Sequence, residues 1–341
     1  MKITAAQFST VVDALVQILP MTQPADAVLS RYFRENPRLG QQERAFVADT
    51  VFALLRRRHG LEFHTGADTT RRLLLAYFSR IEGVSLRQLE PLFGVDAEWA
   101  AALKTPREET APLAVQAELP PWLVDMLIPQ MDEAEILALG RALQQPAPLD
   151  LRINPLLTTR EEVLKTFAAD GIGAAPTPLS PLGVRLAGKP ALNRHPLFTA
   201  GKVEVQDEGS QLLCFLLAPK RREMVVDFCA GAGGKTLLLG AMMQSAGRLY
   251  AFDISERRLA KLTPRLRRSQ LSNVHPQVLD SEHDQRVRRL ARKIDRVLVD
   301  APCSGFGTLR RNPDLKWRQT AQGVQELTVK QRSILAAAAT L

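Results

Sequence analysis

The stretch VVDFCAGAGGKT (225–236) joins a short apolar run to a helical one through Gly231, Gly233 and Gly234. Glycines let a backbone approach a ligand closely, and the first N–H groups of the helix that follows have no partner inside it. Such a loop suits a phosphate or the polar part of a nucleoside. A triphosphate loop needs glycine five positions before Gly234, and Cys229 stands there. The dinucleotide fingerprint fits only in part, because Thr236 occupies its third glycine position. Asp253 lies 20 residues after Gly233, a spacing that suits a carboxylate accepting both ribose hydroxyls. Asp280 closes a later apolar run, where it or its neighbours can meet an adenine edge. A nucleoside with an amino-acid tail and no pyrophosphate suits this set better than a dinucleotide does. S-adenosylmethionine is such a ligand.

A further apolar run ends in DAPCSGFGTLRRNPDLKW (300–317). Asp300, Pro302 and Cys303 fall where the sulfonium methyl should point, and a cysteine beside a cationic centre can act as a thiolate. Arg310, Arg311, Lys316 and Arg318 follow, and favour a working role for this segment over inert core. Cys214, in the run LLCFLLA, reads as core. The five histidines (59, 64, 195, 275, 283) show no ligand spacing with cysteine, so no metal site is expected.

These residues need a frame that brings them to one edge. EMVVDF (223–228), GRLYAFD (247–253), VHPQVLD (274–280) and DRVLVD (295–300) read as strands with helical segments between them. That alternation implies a doubly wound parallel sheet, whose ligands bind at the carboxyl ends of the strands. Each run carries an aspartate at or near that end.

Residues 1 to 145 read as helices. QQERAFVADTVFALLRRRHG (41–60) spaces Phe46, Val47, Val51, Leu54 and Leu55 on one face, with Gly60 as the expected C-cap, and 69–83 is a second amphipathic run. QQPAPLD (144–150) reads as a linker and LRIN (151–154) as a short strand. Thr158 or Thr159 caps a helix ending at Gly171, and the five prolines in 175–196 forbid a regular helix there. Three domains are therefore expected, at 1–145, 146–205 and 206–341. In GVQELTVKQRSILAAAATL (323–341), Val324, Leu327, Ile334, Leu335, Ala338 and Leu341 form the face expected to pack on the sheet.

Composition narrows the classes. Hydrophobic residues make up 45% and charged residues 24% of 341, an ordinary globular mixture. No run approaches the ~20 apolar residues of a membrane helix, and the N-terminus is no secretory signal. Three cysteines make no disulfide framework, so a cytoplasmic protein is expected. Residues 220–341 hold 23 Lys and Arg against 11 Asp and Glu, a net +12 within a total of +9. The first 219 residues are slightly acidic, at −3. A basic C-terminal third points to a polyanion, with nucleic acid ahead of lipid.

DFCAGAGGKT, AFDIS, Asp280, LVDAPCSGFGTLRRNPDLKW and the upstream VQDEGSQL (205–212) together resemble the RNA (cytosine-5)-methyltransferase family, most closely its bacterial ribosomal-RNA, RsmB-type branch. LPPWLV (119–124) and LDLRINPLLTTREEV (149–163) resemble that family's pre-catalytic region, and the N-terminal helices its NusB-like RNA-binding domain. The resemblance implies an α/β, Rossmann-like S-adenosylmethionine-dependent methyltransferase domain behind an all-α domain and a small α/β one. It implies that Cys229, Ala230, Gly231, Ala232, Gly233, Gly234, Lys235, Asp253, Asp280 and Asp300 bind the cofactor. The family's usual loop is CAAPGGKT; here Gly231 and Ala232 replace Ala and Pro. The implied partner is RNA, with 16S ribosomal RNA expected, and a monomer without membrane or metal.

The implied reaction is methyl transfer to carbon 5 of a cytosine through a covalent Cys–C6 adduct. The target base must be unstacked to reach the pocket. By the resemblance, Cys303 assists product release, and the nucleophile belongs to a Thr-Cys on the following strand. The 341 residues contain no Thr-Cys. The expectation is therefore a methyltransferase domain incomplete at its C-terminus, its fourth strand uncovered on one side, and inactive as given. The alternatives are a genuine short protein acting as a non-catalytic RNA-binding or ribosome-assembly factor, and a DNA methyltransferase, against which the glycine loop and the upstream regions argue.

Overall fold

A computed structural model describes residues 3–103, 105 and 110–341. The chain forms two compact units, Met1–Ala147 with Ser304–Val324, and Pro148–Cys303 with Gln325–Leu341.

The first unit is helical. Helices Ala5–Ile18, Ala25–Glu35, Gln41–Arg56, Thr70–Arg80 and Leu86–Phe93 bury Phe8, Leu15, Leu54, Leu74, Phe78 and Leu89 in one core. Thr4 and Ser85 begin their helices with capping boxes to Gln7 and Gln88. Gly60, expected to cap the 41–60 helix, does not. That helix stops at Arg56, and a second runs Arg58–Thr65 to a left-handed Gly66 at φ +64°. Gly60 lies inside the second helix because the Glu118 carboxylate takes its N–H at 2.9 Å. A Cβ there would sit 2.7 Å from a Glu118 oxygen.

Residues 304–324, read from the sequence with the C-terminal domain, pack in this helical unit. The buried Asp314 accepts from the Ala25 N–H at 3.2 Å and from Arg318 Nε at 2.8 Å. The buried Lys316 donates to the carbonyls of Arg56 and Glu118 at 2.8 and 2.7 Å, and Trp317 Nε1 donates to Leu55 at 3.2 Å. Arg310 donates to the Gln145 and Pro146 carbonyls. Lys316 and Arg318, expected to work beside Cys303, are thus engaged in holding the chain. Burial lowers the Lys316 ammonium pKa and raises that of the Glu118 carboxyl.

The second unit holds two sheets. Strands β1 (Leu149–Ile153), β2 (Ala174–Pro176), β3 (Gly183–Leu186) and β4 (Val203–Val205) form an antiparallel sheet in the order β2-β3-β1-β4. Helix Arg160–Ala169, capped by Thr159, packs Val163 and Phe167 on it. Strands β5 (Met224–Asp227), β6 (Arg248–Asp253), β7 (Val274–Val278) and β8 (Arg296–Leu298) form the expected parallel sheet in the order β7-β6-β5-β8. Side chains alternate between its faces. Val225 and Leu249 pack with Leu238 and Leu239 of helix Gly234–Met242 and with Met243, its C-cap. Val226, Tyr250 and Phe252 pack with Ile334, Ala337 and Leu341. Leu335, expected on that buried face, is 59% exposed, because it lies about 100° around the helix from Ile334. Strand β8 pairs only with β5 among the described residues.

Gly140 of helix Glu133–Gln144 faces the Ala117 backbone so closely that a Cβ would collide with its carbonyl. Alanine normally stabilises a helix interior by ~1 kcal/mol over glycine. Here Gly140→Ala is expected to destabilise the chain by about 1–3 kcal/mol, read by urea denaturation; a stabilised variant would contradict the packing.

Candidate active site

The carboxyl ends of β5 to β8 open on a cavity of about 410 Å³. Phe228 and Cys229 reach it from β5, Asp253 and Ile254 from β6, Leu279 and Glu282 from β7, and Asp300 to Cys303 from β8. Lys330 and Ile334 line it from the C-terminal helix, and Arg258 from helix Glu256–Ala260. Every wall comes from a segment that follows a parallel strand, as a switch-point site requires.

The loop 229–235 forms the floor. Gly231 and Gly233 take φ of +56° and +83°, open to glycine at little cost. A Cβ on Gly233 would collide with Leu262. Asp253 ties the loop down: one carboxylate oxygen accepts the Gly231 N–H and the other the Ser255 N–H, both at 2.8 Å. The loop's far side is buttressed. Arg265 donates to the Ala232 carbonyl at 2.5 Å, and Arg152 of β1 donates to the Gly234 carbonyl and to Gln206, both at 3.0 Å. Glu204 of β4 pairs with Arg265 and Arg268. The small sheet thereby positions the loop.

Three carboxylates crowd this edge. Asp300 is neutralised by Lys235 at 2.5 Å. Asp227 is fully buried, accepts the Thr236 hydroxyl at 2.7 Å and leaves its second oxygen without a partner. Burial, helped by Asp300, pushes its carboxyl up to about 6. Burial and the surrounding Asp227, Asp253 and Asp300 push the Cys229 thiol up to about 12, so it is no thiolate at neutral pH. Cys214 is raised to about 12 by burial, as its reading as core expects. Cys303 is exposed on the cavity wall.

Of the residues singled out from the sequence, Cys229, Asp253, Asp300 and Cys303 line the main cavity. Ala230, Gly231, Ala232, Gly234 and Lys235 line a second cavity of about 260 Å³, which shares Cys229, Arg258 and Asp300 with the first, and Gly233 is among the lining residues of neither. Asp280 is exposed, follows the lining residue Leu279, and is not itself among the lining residues. Sequence reasoning missed Glu282, which accepts from Lys330 at 2.7 Å and from Ser333 at 2.6 Å; these bonds hold its carboxyl down to about 2. Its one signal was a lysine one turn before Ile334 on an otherwise apolar face. No group of three metal-ligating side chains occurs among the described residues, and no helix there is long and apolar enough to cross a membrane.

Residues 214–341 match the family model described as 16S rRNA methyltransferase RsmB/F, and residues 119–193 match the RsmF/B-like methyltransferase ferredoxin-like domain. The chain is 36% identical over 236 residues to a probable ribosomal RNA small subunit methyltransferase B of Synechocystis, covering 69% of this chain and 52% of that one. It is 31% identical over 223 residues to the probable Bacillus subtilis protein of the same name, covering 65% and 49%. The chain spans about half the length of the curated relatives it matches. Among solved structures, PH0851 superposes over all of this chain and 84% of its own, with a TM-score of 0.80 at 20% identity. NSun6 from Pyrococcus horikoshii with SFG superposes over 64% and 79%, with a TM-score of 0.58 at 19% identity. Both likenesses show the fold.

Asp227 provides a pH test. Its folded carboxyl titrates near 6, above the unfolded aspartate range, so its contribution to stability is full below about pH 4 and is lost as pH rises through 6. Asp227→Asn keeps an acceptor for Thr236 and removes that loss. In urea denaturation, the stability of the variant relative to the parent is expected to climb between pH 4 and 7 and then level off; a constant difference would contradict the assignment.

Proposed function

The chain belongs to the RsmB/F family of 16S rRNA methyltransferases, and from that premise we propose that it binds S-adenosylmethionine at the carboxyl edge of β5–β8 and serves methylation of carbon 5 of a cytosine in ribosomal RNA. The observation that carries this reading is the 410 Å³ cavity, where segments following four parallel strands place a carboxylate, apolar walls and a thiol together.

The residues fit the cofactor. Each Asp253 oxygen takes one backbone N–H and retains capacity for a second donor, as a ribose diol requires. Ile254, Leu279, Pro302 and Ile334 supply apolar surface for an adenine. Asp253, Glu282 and Asp300 are balanced around the cavity by Arg258, Lys330 and Lys235, so the lining carries no excess positive charge to repel a sulfonium. When bound, the cofactor supplies an electrophilic methyl group. The chain's own contribution is placement. Asp300, fixed by Lys235, is poised to accept a hydrogen bond from the amino edge of an unstacked cytosine.

Carbon 5 is a poor nucleophile until a thiolate adds to carbon 6. The C5–methyl bond would form as the methyl–sulfur bond of the sulfonium breaks to leave S-adenosylhomocysteine; a base would then take the carbon-5 proton, and the electron pair left behind would expel the thiolate from carbon 6. Cys214 and Cys229 are too hard to ionise for that task. Cys303, exposed on the cavity wall, is assigned to assist thiol expulsion, while the adding thiolate belongs to a Thr-Cys that the 341 residues do not contain.

Calorimetry with S-adenosylhomocysteine tests the cofactor assignment. The parent should bind, and Asp253→Ala should weaken binding roughly 100-fold through loss of two charge-assisted hydrogen bonds; undiminished affinity would overturn the site. Incubation of the 341-residue chain with labelled S-adenosylmethionine and 16S RNA should yield no 5-methylcytosine. Its formation would contradict the role given to Cys303, and loss of that product in Cys303→Ala would make Cys303 the nucleophile.

A further inference from the structure

We propose that the opposite, N-terminal edge of the parallel sheet is a second RNA-docking surface, which grips backbone phosphates away from the catalytic edge. Parallel strands all begin at the same edge, and here that edge is lined with cations. Lys220, Arg221 and Arg222 lead into β5, Arg248 opens β6, and Arg292 and Lys293 lead into β8. All six are exposed, and none is in an ion pair among the described residues.

The chain brings these starts into contact. Met224 is in register with Arg248, and the Arg248 N–H donates to the Glu223 carbonyl at 3.0 Å. Arg222 and Gly247 form abutting left-handed turns at φ +73° and +80°; a Cβ on Gly247 would lie 2.8 Å from the Arg222 Cα. The Asp295 N–H donates to the Met224 carbonyl at 2.9 Å, which sets Arg292 and Lys293 beside the same edge.

Glu223 and Asp295, the acids next to these residues in sequence, are engaged with other partners. Glu223 is occupied by Arg296, at 2.7 and 3.2 Å, and by the Lys220 N–H at 2.8 Å. Asp295 accepts the Met224 N–H at 2.7 Å. Six exposed like charges at one edge set up a positive potential that attracts a polyanion. The cations ride on turns and strand starts, not on a long amphipathic helix with an apolar face for lipid, so RNA is the partner that fits. The two edges are about 16–20 Å apart along β6. One RNA strand can therefore engage both only by running over the domain.

This inference rests on the ribosomal-RNA reading above, and one experiment separates the two. The full chain and the variant carrying Arg221→Gln, Arg222→Gln, Arg248→Gln and Lys293→Gln are titrated across a salt series. The probes are a single-stranded ribosomal RNA fragment and a scrambled RNA of equal length. The variant should lose about 0.7 in the slope of log affinity against log salt for each phosphate contact removed, roughly 3 in all, equally for both RNAs. Its S-adenosylhomocysteine affinity should not change. RNA binding with an unaltered slope would overturn this surface and leave the catalytic reading standing. A parent that binds no RNA would overturn both. Anionic phosphatidylglycerol vesicles that need these four residues, while RNA does not, would reassign the edge to lipid and overturn the proposal. Each single substitution should lower the slope by about 0.7, which keeps the test decisive if the fourfold variant melts early.

Discussion

Aspartates at the carboxyl edge of one parallel sheet must be kept from repelling one another, and the local structure follows from how each is handled. Asp227 is sunk beneath the loop, where burial raises its carboxyl to about 6 while the Thr236 hydroxyl donates to the charged form. Asp253 spends its charge on two backbone N–H groups, one of which fixes the glycine loop. Asp300 is matched by Lys235 from the helix that the same loop begins. Cys229 lines the cavity yet stays a thiol, because burial and then these carboxylates raise its pKa. A neutral or cationic ligand suits such an edge better than a triphosphate does.

The loop is also held from behind. Arg152 is fully buried, and burial lowers it to about 10, yet it is retained between Gln206 and the Gly234 carbonyl. With Arg265 and Glu204 it ties the antiparallel sheet to the loop, so the small sheet serves the site through positioning rather than contact. The cations that give residues 220–341 their net +12 gather in part at the far edge of the parallel sheet, around Arg222 and Arg248. The domain is therefore polar along its strands, with carboxylates at one end and guanidinium groups at the other.

Much of this was legible in the sequence because it depends on local patterns. Each of the four parallel strands could be found from a short apolar run ending near an aspartate, and the threonines at 158 and 159 announced a capped helix, of which Thr159 is the cap. What escaped depended on partners far along the chain. Gly60 looked like a helix end because nothing nearby revealed that Glu118 would approach it. The run of cations after Cys303 looked like part of the site, whereas Lys316 and Trp317 meet the carbonyls of Arg56 and Leu55 some 260 residues earlier. Glu282 and Lys330 are joined only when the last helix folds over the sheet. Leu335 shows the limit of reading one helical face: a single residue beyond Ile334 already points to water.

The account stands on the 410 Å³ cavity being the place where an adenosyl group lies. A crystal structure of the chain grown with S-adenosylhomocysteine tests this most directly. The ribose hydroxyls should lie within hydrogen-bond distance of Asp253, with the adenine against Ile254 and Pro302 and the sulfur turned toward Asp300 and Cys303. Clear density for the ligand in any other cavity, with Asp253 facing solvent, would contradict it.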